Sequence, residues 1–230
     1  MNEATLAQRG LGTAYDTGWA RTRWARVVRA VAQGLVVPLV RAGLPVRVHG
    51  RSNLPSARSP VIYAANHPSH ADGVIMVAAL GRRRSWRLAT AAAADNYFAT
   101  RWRSRLSALF AAALPIERFR IDRRSAELPA SLLATGWSLL IFPEGGRSNP
   151  DGTPLPFRAG AAWLADRTGV TVVPAWINGS AEVHRKGTRR VRRHRVDVMF
   201  GAPISPAAGE RARVLAERIE AAVLALAPRR

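Results

Sequence analysis

Cysteine is absent from the 230-residue chain, which excludes disulfides, thiol nucleophiles and cysteine-ligated metal sites. Acidic residues are scarce: 15 Asp and Glu stand against 35 Lys and Arg, a net charge of +20, nearly all of it arginine. A surface of that sign seeks anions, whether nucleic acid, anionic lipid or phosphorylated substrates. Part of the bias travels with a general richness in Ala, Arg, Gly and Pro, so charge narrows the partner class without choosing within it. A long apolar run is missing too. The stretch Ala30–Val40 lies between Arg29 and Arg41 and falls short of the ~20 residues a bilayer needs. The longest charge-free run, Leu128–Pro143, contains Pro129 and Gly136 and reads as a helix end, a turn and a buried strand. Met1–Leu11 lacks the apolar core of a signal peptide. Hydrophobic content of 48% is enough for a sizeable core, which excludes global disorder.

The pattern along the chain alternates. Residues 1–17 have no clear period and read as a loose tail. Over Trp19–Val37, Trp24, Val27, Val28, Val31 and Leu35 share one helical face, with Arg23, Arg26 and Arg29 pointing away from it. A basic amphipathic helix carrying tryptophan suits a membrane interface, and equally an ordinary helix packed on the domain. Pro38 and Pro45 are expected to end that region. Strands are expected at Val46–His49, Val61–Ala65, Trp86–Thr90, Leu114–Arg118, Ser138–Phe142, Val170–Ile177 and Val196–Phe200. Helices are expected at Gly73–Leu80, 95–113, Ser125–Thr135, Ala159–Arg167 and Gly209–Leu226, with Arg82–Arg84 as a solvated loop. This order implies an α/β domain over 46–230, a mostly parallel or mixed sheet flanked by helices. Residues 1–45 form an N-terminal tail and amphipathic, membrane-associating helical arm.

Sites in such sheets gather at the carboxyl ends of the strands. The first such end delivers Asn66-His67-Pro-Ser-His-Ala-Asp72, a histidine and a carboxylate five residues apart. An imidazole takes a proton near neutral pH, and a carboxylate fixes its tautomer and stabilises the imidazolium. A looser reading makes His67, His70 and Asp72 metal ligands, but the spacing is poor and no further ligand is evident; no metal is expected. Later strand ends deliver Glu117 and Arg118, then Glu144, Gly145, Gly146, Arg147 and Ser148. Two arginines, glycine N–H groups and a hydroxyl make a phosphate cradle. Glu144 would orient an arginine or meet a substrate hydroxyl.

Asn66-His-Pro-Ser-His-Ala-Asp72 resembles the N-H-x-S-x-x-D box of the 1-acylglycerol-3-phosphate acyltransferase family. Phe142-Pro-Glu-Gly-Gly-Arg-Ser148 is similar to its F-P-E-G-T-R-S box, 77 residues from His67 to Glu144. Asp151–Gly160 resembles the following D-G-x-L-x-P-F-K-x-G segment, Val173-Pro174-Ala175 the V-P-V box, and Pro115–Arg118 more loosely the I-x-x-D-R box. The boxes occur in the family's order, which is far more specific than any one alone. Gly146 stands where the family usually has Thr, and Pro68 and His70 are also departures.

The resemblance implies a glycerolipid acyltransferase fold and transfer of an acyl chain from a thioester, on coenzyme A or acyl carrier protein, to the sn-2 hydroxyl of 1-acylglycerol-3-phosphate, giving phosphatidate. His67 would be the base and Asp72 its orienter. Ser69 would be structural, because an activated thioester needs no covalent intermediate. Arg118, Glu144, Gly145, Gly146, Arg147 and Ser148 would hold the acceptor phosphate, with Arg158 a weaker contact. No cofactor beyond the thioester co-substrate is expected. Expected partners are the thioester donor, the lysophospholipid acceptor, an anionic membrane surface and, as a candidate, acyl carrier protein. The expected location is peripheral, on the cytoplasmic face of the cell membrane. Another lysolipid acceptor, ornithine-type or glycosylated, is the alternative within the class. A basic nucleic-acid- or membrane-binding module without catalysis is the alternative outside it. Arg185–Arg195 holds seven Lys and Arg but no aromatic and no binding motif, so nucleic acid is not an expected partner.

Overall fold

The computed structural model describes residues 18–93, 112, 114–116, 123–149, 151–183 and 192–228. The tail 1–17, the helix expected over 95–113, Glu117, Arg118 and most of Arg185–Arg195 lie outside them. Strands are β1 (Val46–His49), β2 (Ile62–Ala65), β3 (Leu88–Ala93), β4 (Leu114–Ile116), β5 (Ser138–Ile141), β6 (Val172–Asn178) and β7 (Val196–Phe200). Helices are α1 (Arg23–Gly43), α2 (Asp72–Ser85), α3 (Arg123–Ala134), α4 (Gly160–Thr168), α5 (Ser180–Val183) and α6 (Ala212–Leu224).

β2 is buried along its whole length. A continuous apolar run without alternation requires both faces covered, and β2 accordingly takes the centre of the sheet. The order is β1-β7-β6-β2-β5-β3-β4. β2 pairs in parallel with β5 and β6, and β3 in parallel with β5 and β4. β7 runs antiparallel to β6, and β1 follows β7 in parallel. The sheet is therefore mixed, with β2, β3, β5 and β6 opening their carboxyl ends on one edge.

Side chains alternate across the sheet and build two cores. Ile62, Ala64, Leu139 and Ile141 face Leu132 and Leu133 of α3, Ala161 and Leu164 of α4, and Leu215 and Ile219 of α6. Tyr63, Ala65, Leu140 and Val173 face Ile75, Met76 and Leu80 of α2. Helices thus cover both faces. Gly169 ends α4 in the left-handed conformation (φ 67°), as a helix stop needs.

Three local expectations are corrected. Pro38 does not end the N-terminal helix; α1 runs through it to Gly43. Proline there removes the bond to the Gly34 carbonyl, and Gly34 is exposed, so that carbonyl is not sealed off from solvent. Arg82–Arg84 is not a loop. After a left-handed kink at Gly81 (φ 75°) the chain makes a further helical turn, and Arg84 donates to the Pro55 carbonyl at 3.0 Å. β3 continues past Thr90 to Ala93, because pairing with β4 outweighs the weak strand preference of alanine.

α1 packs on α2 with the opposite face to that of an ordinary amphipathic helix. Ala25, Arg29 and Gln33 are buried. Trp24, Val27, Val28 and Val31 are exposed, as are Leu35 (68%) and Leu39 (71%). Val37 packs on the core, and the other inward contacts include polar ones. Arg29 donates to the Ala20 carbonyl, Arg41 donates to the Ala78 carbonyl at 2.5 Å, and Arg26 lies 5.6 Å over the Trp86 ring. Burial, with Arg26 and Arg21 nearby, pulls the Arg29 guanidinium down to about 10. No described helix is long and apolar enough to cross a membrane.

Candidate active site

The end of β2 is extended by a side chain. Asn66 is buried; its Nδ2 donates to Ile177 O at 3.0 Å, and Ile177 N–H donates back to its Oδ1 at 2.7 Å. The amide takes the place of one more backbone pair between β2 and β6, and the chain then turns off the sheet with His67. No periodicity marks this role; the sequence signals are an amide placed directly after a buried strand and its place at the head of the motif.

His67 Nδ1 lies 2.8 Å from Asp72 Oδ2. An ionised carboxylate only accepts, so Nδ1 carries the proton and Nε2 is left as the basic nitrogen. Asp72 is fully buried, while the His67 side chain keeps 14% of its surface. The same Oδ2 accepts the Ser69 N–H at 2.7 Å. Asp72 is also the first residue of α2, where the helix dipole favours a negative charge. The five-residue spacing works because Ser69–Asp72 turns tightly: Asp72 N–H donates to Ser69 O, and Ala71 N–H to Ser69 Oγ, both at 3.2 Å. Ser69 is wholly buried and its hydroxyl serves this turn. On its other side the His67 ring stacks on Phe142, with centroids 4.1 Å apart and planes at 18°. An aromatic face there limits how the imidazole can tilt. The sequence showed Phe142 as the last residue of a buried strand and the first of a motif, with no sign that it meets His67.

The turn after β5 wraps Glu144. Its Oε1 accepts the His67 N–H at 2.7 Å and the Ser148 hydroxyl at 2.9 Å; its Oε2 accepts the Leu155 N–H at 2.8 Å. Ser148 N–H donates to His67 O at 2.9 Å. Burial pushes the Glu144 carboxyl up, against the opposing pull of the Leu155, His67 and Ser148 bonds. Glu144 and Ser148 therefore face inward, and neither contacts an arginine through these bonds. Gly145 adopts φ 64°, and a Cβ there would stand 2.7 Å from Arg158 Nε. Both the backbone and the close approach call for glycine. Gly146 has no such need, since the nearest atom to a Cβ is Leu155 Cδ1 at 3.4 Å.

Between the two inward residues the turn stays open. Arg147 is half-buried, and among the described residues its guanidinium has no hydrogen-bond or ion-pair partner. Likewise the Gly146 and Arg147 N–H groups donate to no described residue. A guanidinium with adjacent N–H groups, none of them bonded to a described residue, has the donors an anion needs. Arg158 is exposed and packs on Gly145. Arg118 lies outside the described residues. No group of three or more His, Asp or Glu among those residues is placed to hold a metal.

His67 at the end of β2 and the glycine-arginine turn at the end of β5 are joined by bonds to the His67 main chain. The sequence profile of the Acyltransferase family matches residues 45–178, more than half of the chain. The chain belongs to the acyltransferase family. A chloroplastic 1-acyl-sn-glycerol-3-phosphate acyltransferase of Brassica napus is 30% identical to this acyltransferase chain over 162 residues, 68% of this chain and 44% of its own length. A probable 1-acyl-sn-glycerol-3-phosphate acyltransferase of Mycoplasma pneumoniae is 27% identical over 200 residues, 80% of this chain and 69% of its own. The crystal structure of the 1-acyl-sn-glycerophosphate acyltransferase PlsC from Thermotoga maritima shares the fold, with a TM-score of 0.63 at 22% identity, over 98% of this chain and 90% of that one. This acyltransferase chain spans less than half the length of the Brassica relative.

Proposed function

We propose that the protein transfers a fatty acyl chain from an acyl thioester to the sn-2 hydroxyl of 1-acylglycerol-3-phosphate, giving phosphatidate. The observation that carries this reading is the 2.8 Å bond between His67 Nδ1 and Asp72 Oδ2, which leaves Nε2 to act as base. An alcohol is a weak nucleophile until its proton leaves as the new bond forms. The acceptor hydroxyl gives its proton to His67 Nε2 and its oxygen attacks the thioester carbonyl carbon. The tetrahedral intermediate collapses, the C–S bond breaks, and the imidazolium returns the proton to the departing thiolate. Asp72 holds the ring and offsets its transient charge. Arg147 with the Gly146 and Arg147 N–H groups binds the acceptor phosphate, which brings the hydroxyl to the base; such positioning supplies much of a rate enhancement. The donor is a coenzyme A or acyl carrier protein thioester. Arg118 and Arg158 are further phosphate contacts in this reading.

Both substrates are apolar at one end, so the reaction belongs at a membrane surface. The outward apolar stripe of α1 supports peripheral attachment there, and we assign the cytoplasmic face of the cell membrane as its place. The deciding experiment incubates purified protein with labelled acyl-CoA and a panel of lysolipids and identifies products by mass. Phosphatidate from lysophosphatidate is the expected product, with His67→Ala slower by about 10²–10⁴-fold at unchanged fold. Acylation of an ornithine-type or glycosylated lysolipid instead would move the acceptor, and wild-type turnover by His67→Ala would overturn the base.

A further inference from the structure

The motif Glu144–Ser148 contains residues of two kinds, separated by the direction they face. We propose that Glu144 and Ser148 are positioning residues that tie the acceptor's anion cradle to the base, so that the gap between bound phosphate and attacked hydroxyl is set by the protein rather than by the lipid. The inference rests on the acyltransferase reading above.

Glu144 is 2% exposed, and both of its oxygens already accept N–H or O–H donors. A carboxylate beside a phosphate would also repel it, like charges at short range being unfavourable. Direct phosphate binding therefore fails on both geometry and charge. What the carboxylate does instead is join three segments: the His67 main chain, the turn at Ser148 and the returning strand of the loop at Leu155. Ser148 closes the same ring from the other end, its N–H holding His67 O and its hydroxyl holding Glu144. The His67 peptide is thus gripped on both its N–H and its C=O by the two residues that bracket Gly145, Gly146 and Arg147. Any shift of the cradle moves the base with it.

A rigid spacing makes the system selective for acceptors whose anion and hydroxyl are the right distance apart. It also separates two kinds of variant. Loosening the tie leaves phosphate binding in place but misaligns the base, and a displacement of order 1 Å costs roughly 10²-fold. Removing a cradle ligand weakens binding and leaves the base in register.

The test is steady-state kinetics with lysophosphatidate for Glu144→Ala, Glu144→Gln, Ser148→Ala and Arg147→Ala, with thermal unfolding alongside. The expected result is a kcat lower by roughly 10- to 10²-fold for Glu144→Ala at a KM within about twofold of wild type. Glu144→Gln recovers part of that loss, because its amide oxygen still accepts from His67 and Ser148. Ser148→Ala gives a smaller fall in kcat, again at constant KM. Arg147→Ala raises KM with kcat largely kept. If Glu144→Ala fails to fold, Glu144→Gln and Ser148→Ala carry the test. A raised KM with unchanged kcat in Glu144→Gln or Ser148→Ala would overturn the proposal and make these residues substrate ligands. Failure of the acyltransferase reading looks different: His67→Ala would then match wild type whatever the Glu144 variants do.

Discussion

Asn66 does at the end of β2 what the backbone of another strand residue would do. Its amide holds the N–H and C=O of Ile177, a residue that is 1% exposed. Deleting one partner from a buried hydrogen bond leaves the other without solvent or mate, at a cost of about 1–3 kcal/mol for each group. Asn66→Ala is therefore expected to lower unfolding stability by roughly 2 kcal/mol or more, measured by urea titration at constant m-value. Asn66→Asp sets a buried carboxylate oxygen against the Ile177 carbonyl, and should fall at least as far as Asn66→Ala. Since the next residue is His67, activity is expected to drop along with stability. A stable, fully active Asn66→Ala would show that β2 ends correctly without the amide. Phe142 works at the same scale from the other side, its ring lying flat on the imidazole. The His67 imidazole is thus held by a hydrogen bond to Asp72 and by an aromatic face on one side.

Among elements, α1 is the one whose orientation defies simple amphipathic packing. Polar side chains turn inward, Arg29 and Arg41 to carbonyls and Arg26 over the Trp86 ring. Its apolar stripe from Trp24 to Leu39 faces out. A helix buried by hydrophobic matching would show the reverse. Moving one such leucine from water into an apolar medium contributes roughly 1.5–3 kcal/mol, so six large apolar side chains in a row suit insertion into a lipid interface. Leu35→Glu and Leu39→Glu should lower binding to lipid vesicles by at least about tenfold in sedimentation, because each loses that contribution. Thermal stability should stay unchanged, since neither side chain packs on the domain. Vesicle binding that survives both substitutions would place the contact elsewhere. α2 links this arm to the site, since its first residue is Asp72 and α1 packs along its side.

The whole molecule carries a net charge of +20. Long-range attraction to an anionic surface falls with salt, because the Debye length shrinks to ~8 Å at physiological ionic strength. Binding to vesicles containing phosphatidylglycerol is expected to weaken steadily between low and high salt, while the apolar contribution of α1 leaves a residue of binding that salt does not remove. Salt-insensitive binding would assign attachment to α1 alone, and absence of binding at low salt would remove the membrane account. The mixed sheet serves this arrangement. β2, β5 and β6 run together and deliver His67, the Glu144 turn and Ile177 to one edge, with both faces of the sheet sealed by helices.

Much of this was legible in one dimension. Periodicity and turn residues marked most of the described strands and helices, because burial on a sheet or a helix face writes a local repeat. The order of the motifs announced the family, and the strand-end rule drew His67, Asp72 and the glycine-arginine turn towards one place. The rest depended on contacts between residues far apart in sequence. That Glu144 turns inward to His67, that Phe142 lies on the imidazole and that Asn66 completes β6 are decided by the parallel pairing of β2 with β5 and β6, which brings together segments 77 and 111 residues apart. Which face of α1 meets the domain was equally hidden. The same amphipathic pattern permits either orientation; the Ala78 carbonyl and the Trp86 ring that meet Arg41 and Arg26 come from distant segments, while Arg29 turns back to Ala20.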